Sequence, residues 1–143
     1  VLFGIFWALL NFSSGISSYN SHYFSNKFNY KSLIYFSVIM SLSFFLLGFS
    51  IISYGLFFIF IIYFLRGIVT PILRNEINKI TSSNIRATVL SVRSFIIRVS
   101  FAILAPVLGF IAEHNSLSIT FYFLAIVVGF STLLSAFKLI KLE

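Results

Sequence analysis

The run LIYFSVIMSLSFFLLGFSIISYGLFFIFIIYFLRGIVTPIL, from Leu33 to Leu73, decides how this chain folds. Its sole charged residue is Arg66. As a single helix rising about 1.5 Å per residue it would reach ~60 Å, twice the ~30 Å hydrocarbon core of a bilayer. Ser53-Tyr54-Gly55 offers the only turn chemistry near its middle. The run therefore reads as two helices, about 33–52 and 55–78. It is too long and too continuous for strands.

Upstream, VLFGIFWALLNFSSGISSY reads as a helix over about 1–20. It is the weakest of the set, because Ser and Gly crowd its second half. The polar stretch SHYFSNKFNYKS, residues 21–32, separates it from the central run. Downstream, the break TSSNIR introduces a helix over about 87–112, and EHNS introduces another over about 117–137. The expected fold is all-α: a polytopic bundle of about five transmembrane helices, in one unit spanning 1–143.

Composition supports a lipid solvent. Hydrophobic residues make up 59% of the chain and charged residues 9%, including 20 Phe; mean hydropathy is +1.06. Soluble domains carry about 25% charged residues, and so few charges leave too little polar surface to face water. The net charge is +7. In a soluble protein that balance would point to nucleic acid; here the basic residues fall mostly between apolar runs, where they meet anionic headgroups and set topology. The expected partner is the lipid bilayer and not nucleic acid. There is no cysteine, so thiol and disulfide chemistry are excluded. The two histidines, His22 and His114, are far apart and make a poor metal pair; no metal or other cofactor is expected. Val1 lies inside an apolar run with no basic segment before it, which is not a signal peptide. The expectation is a piece of something longer.

Charge placement gives a second line of argument. Lys27 and Lys31 lie between the first and second runs, Lys79 and Arg86 between the third and fourth, and Lys138 and Lys141 after the fifth. The other two connections carry no Lys or Arg. This alternation puts the basic segments and the C-terminus in the cytoplasm by the positive-inside rule, so the expected location is the cell membrane.

Two cations fall within the apolar runs. Arg66 and Arg98 each lie about eleven residues into their helices, ~16 Å deep, where a cation costs at least ~2.5 kcal/mol. Each has to face a bundle interior or a water-filled cavity. Tyr63, Arg66, Thr70, Arg74 and Asn78 recur at three- and four-residue spacing and make one polar face. Ser91, Ser94 and Arg98 do the same on the next helix, continued by Ala102, Ala105 and Gly109. Ala105 and Gly109 form a small-xxx-small pair of the kind that admits a close helix neighbour. None of the three acids is near the depth of either arginine: Glu76 is close to the cytoplasmic end, where Lys79 or Arg86 can pair with it, and Glu113 is close to the outer end. A counter-carboxylate from elsewhere, or an anionic substrate, is expected at Arg66. Arg93, near the interface, can snorkel. Pro71 and Pro106 fall inside helices and are candidate kinks.

From Arg66 to Ala112 the chain resembles the C-terminal half of a major facilitator superfamily transporter. Arg66, Gly67 and Pro71 match an Arg-Gly followed by Pro in that family's tenth helix. Arg86-Ala87-Thr88 with Ser91 matches the entry to the eleventh, and Ala105-Pro106-Val107-Leu108-Gly109 resembles its small-Pro-x-x-Gly stretch, ending at Ala112-Glu113. The resemblance implies helices eight to twelve of a twelve-helix carrier, with an N-terminal bundle not included here. It makes Gly15 and Lys27 part of the loop between the eighth and ninth helices, although the acid of that loop's pattern is absent.

The resulting expectation is a secondary transporter moving a small solute by alternating access, proton- or sodium-coupled. Tyr63, Arg66, Thr70, Ser94 and Arg98 would line its cavity, while Gly15, Lys27, Pro71, Glu76, Arg86, Pro106 and Gly109 serve structure or gating. The alternative is a non-transporting membrane scaffold or assembly subunit, whose polar faces close on each other. An intramembrane enzyme is not expected: that chemistry needs paired acids, a Ser–His pair or a metal cluster at one depth.

Overall fold

The computed structural model describes residues 2–21, 23, 31–49 and 54–140. They form five long helices: α1, Leu2–Tyr19; α2, Lys31–Phe49; α3, Gly55–Ile80; α4, Arg86–His114; and α5, Leu117–Ile140. There is no strand among the described residues. The break at Tyr54-Gly55 falls where turn chemistry predicts it, with α3 starting at Gly55. The expected continuation of α2 over 50–52 lies outside the described residues, as do His22, Lys27 and Lys141.

The helices overrun their predicted ends in the polar segments. Lys79 falls in the last turn of α3 and Arg86 opens α4. His114, expected in a loop, is the last residue of α4. Local side-chain bonds to the backbone explain these extensions. The Thr81 hydroxyl donates to the Ile77 carbonyl at 2.6 Å, His114 Nδ1 lies 3.0 Å from the Phe110 carbonyl, and the Asn115 N–H donates to Ile111. Groups that would otherwise need water at a helix end are satisfied within it. Pro71 and Pro106 sit inside continuous helices.

Among the described residues, three helices are long and apolar enough to cross a membrane: α3, α4 and the Leu117–Phe137 part of α5. That is fewer than the five expected. The Ser- and Gly-rich second half of α1 lowers its apolar character, and the described apolar part of α2 is shorter, Leu33–Phe49.

Packing follows two interleaved pairs. α1 lies on α3, α2 lies on α5, and α2 also meets α3. α4 touches α5 lightly and barely meets α3. The buried apolar residues are few: Leu10, Leu47, Leu65, Ile68, Ile72 and Ala125. Large apolar side chains such as Phe3, Phe12, Phe101 and Phe137 are instead largely exposed. A soluble protein rarely leaves so much apolar surface uncovered, and the arrangement is consistent with a membrane helix bundle.

Small residues set both seams. On α3, a methyl group at Gly67 would overlap the Ser17 hydroxyl and the Ser14 carbonyl of α1. On α2, a methyl at Gly48 would come within 2.8 Å of the Tyr122 ring, and on α5 one at Gly129 within 3.0 Å of Ser41 Oγ. The Ser41 hydroxyl donates 2.8 Å to the Ala125 carbonyl. The seam of α5 thus runs along Ala125 and Gly129. Of the Ala105–Gly109 pair, read from sequence as permitting a close helix neighbour, Ala105 is partly covered and Gly109 meets nothing within 4 Å of a Cβ. Both helices carry the same spacing, but only at Gly129 does a described side chain, that of Ser41, stand against the glycine.

Candidate functional site

The polar residues expected to line a cavity fall into two groups on two helices. The first is built on α3 and completed by α1. Tyr63 is half-buried, while Arg66 and Thr70 are exposed on the side of α3 away from Leu65, Ile68 and Ile72. This is the segregation a helical repeat produces: Leu65, Ile68 and Ile72 pack inward, and the polar set stays open. Trp7 of α1 meets Tyr63 edge-on, with ring centroids 6.0 Å apart at 77°. The Arg66 guanidinium carbon lies 5.7 Å from the centre of the same tyrosine ring, so one ring is held by an indole and attracts a cation. The Thr70 hydroxyl donates 2.8 Å to the Arg66 carbonyl. Arg74 and Asn78 continue the face toward the end of α3.

The second group lies on α4. Leu90, Ser91, Ser94, Phe95 and Arg98 line an open cleft of about 440 Å³. The Ser94 hydroxyl donates 3.0 Å to the Leu90 carbonyl, which satisfies it within the helix. Arg98 is exposed. No hydrogen bond, ion pair or ring contact among the described residues joins this group to Tyr63, Arg66 or Thr70.

The charges near the α3–α4 connection are arranged differently. Lys79 Nζ donates 2.7 Å to Glu76 Oε1, the sole ion pair among the described residues. Arg86 turns away from that acid and donates through Nη2 to the Thr81 carbonyl at 3.3 Å. Glu76 therefore pairs one turn along its own helix, and Arg86 closes the connection. Arg93 Nε and Asn78 Oδ1 are enclosed without a hydrogen-bond partner.

Of the residues assigned to structure or gating, Gly15 on α1 and Gly109 on α4 face open space, Pro71 is half-buried and Pro106 exposed. Two participants were not assigned from sequence. Trp7 had no assigned partner, because Tyr63 lies far along the chain and no local spacing links them. Gly67 supplies the gap into which Ser14 and Ser17 of α1 fit; a glycine beside an arginine carries no signal of what packs on it.

Comparison with family models, with curated proteins and with solved structures gives no match for this chain.

Proposed function

We propose that this chain forms part of the C-terminal bundle of a membrane secondary transporter of the major facilitator type. In this reading all five helices cross the cell membrane, the C-terminus is cytoplasmic, and an N-terminal bundle completes the carrier. A small solute, coupled to a proton or sodium ion, would be exposed to each side in turn as one bundle rocks against the other. Arg66 is the electrostatic contact, either to an anionic group of the solute or to a carboxylate of the other bundle. Thr70, Ser94 and Arg98 line the path, and Tyr63 steadies Arg66.

The observation that carries the reading is the state of Arg66. A cation near the middle of an apolar helix lies on an open polar face, held only against an aromatic ring, with no acid among the described residues within ion-pairing distance. A charge placed so deep calls for a counter-charge or water. A scaffold whose polar faces close on one another would pack both guanidinium groups against protein acceptors; both are exposed here.

Single-cysteine labelling tests it, because the chain has no cysteine of its own. Tyr63→Cys, Thr70→Cys and Ser94→Cys, each in the complete carrier in sealed vesicles, are expected to react with a membrane-impermeant thiol reagent from both sides. Ile68→Cys, at a buried position of α3, is expected to react from neither. Failure of all three to react from either side would overturn the transport reading.

A further inference from the structure

α4 is the longest helix, at 29 residues, and none of them is buried. Every other long helix has at least one residue enclosed by a neighbour. Arg98 lies about twelve residues beyond Arg86, ~18 Å along the axis, in the open cleft with Ser91 and Ser94. The face continues past it through Ala102, Ala105 and Gly109, where no side chain of this chain intrudes on Gly109.

Charge decides what covers this face. Lipid tails do not neutralise a guanidinium at that depth. The chain holds three acids. Glu76 is engaged by Lys79, Glu113 lies fifteen residues from Arg98 or ~22 Å along the helix, and Glu143 is beyond the described residues. The counter-charge therefore arrives on another molecule or segment. The cleft at Arg98 is an open groove on the side of α4 rather than an enclosed cavity, the form of surface that a neighbouring helix covers. A carboxylate carried on a helix reaches the same depth by moving within the bilayer, with its own backbone already hydrogen-bonded. The small residues beyond Arg98 let such a helix approach closely.

We infer that α4 is a docking face for a membrane-spanning helix that carries one Asp or Glu at the level of Arg98. The inference does not depend on transport, since a scaffold would use the same face.

The test uses the full chain in lipid nanodiscs and a fluorescent polyleucine transmembrane peptide bearing one central Glu, with a central-Gln peptide as control. Energy transfer to a dye at the chain's N-terminus reports association. The Glu peptide is expected to bind about tenfold more tightly than the Gln peptide, the size of effect that polar contacts between membrane helices reach at their stronger end. Arg98→Met is expected to abolish that preference and Arg98→Lys to retain most of it. Helical circular dichroism and the fluorescence of Trp7 establish that each variant is folded. Equal binding of the two peptides overturns the proposal, as does a preference that survives Arg98→Met. Displacement of the Glu peptide by millimolar acetate also overturns it, because it would make Arg98 a site for free anions. Transport would be untouched by any of these failures, which separates them from the labelling test above.

Discussion

The hydroxyl of Ser41 on α2 reaches the Ala125 carbonyl on α5 at 2.8 Å, joining residues 84 positions apart. Gly129, one turn beyond Ala125, leaves the space that Ser41 occupies. The bond and the gap act together: the glycine brings the helices close enough for a short side chain to cross between them.

Replacing this hydroxyl separates the two contributions. Ser41→Ala keeps the close approach and removes the hydrogen bond, so it is expected to cost about 0.6 kcal/mol, the average for such bonds between membrane helices. Ser41→Leu keeps neither and forces the seam apart, at about 1–3 kcal/mol. Denaturation of the chain in mixed micelles, followed by circular dichroism, would rank them. Equal losses for the two variants would show that the close approach is not held by Gly129.

Two glycines make a sharper contrast. Gly67→Ala drives a methyl group into the Ser14 carbonyl and the Ser17 hydroxyl, and overpacking of this kind costs about 1–3 kcal/mol. Gly109→Ala meets no atom within 4 Å; in the chain alone it is expected to be neutral or to stabilise by up to about 1 kcal/mol through helix propensity. The Trp7–Tyr63 contact gives an optical readout: Gly67→Ala should shift the tryptophan emission, and Gly109→Ala should not.

That contrast marks how far the sequence could be read. Helix positions were legible because each apolar run ends in residues with a local reason to stop it, such as Tyr54-Gly55 and Asn115-Ser116. Polar faces were legible for the same reason, since Tyr63, Arg66 and Thr70 repeat at helical spacing. Partnership between helices was not. Ala105–Gly109 and Ala125–Gly129 have identical spacing, yet only the glycine of the second meets a neighbour among the described residues. What distinguishes them is Ser41, more than 60 residues before either pair, and no local pattern connects them. The expectation of one interior shared by Arg66 and Arg98 rested on each helix separately; the described residues bring Arg66 to Tyr63 and Arg98 to Ser94, and leave the two groups apart.

The Glu76–Lys79 pair should matter little to stability. Lys79 is 58% exposed, and exposed pairs contribute between zero and about 1 kcal/mol. Glu76→Gln is expected to leave the unfolding midpoint within that range. A larger loss would mean that Glu76 carries a contact beyond Lys79.

Topology has its own test. Lys31→Cys and Lys79→Cys are expected to react from the same side of the membrane, the cytoplasmic one, because the basic segments alternate with non-basic ones. Opposite-sided labelling would undo the five-span reading and the carrier proposal with it.

The pairing of α2 with α5 constrains how the molecule is made. Helices are made in chain order, and here α2 waits for α5. Until α5 has been inserted, Ser41 has no Ala125 carbonyl to bond and Gly48 faces no Tyr122 ring. A nascent chain cut short after α4 would hold α1 to α4 and still lack its most extensive interface. α5 is in that sense the latch for α2, and quality control that senses unpaired apolar helices would find its signal there.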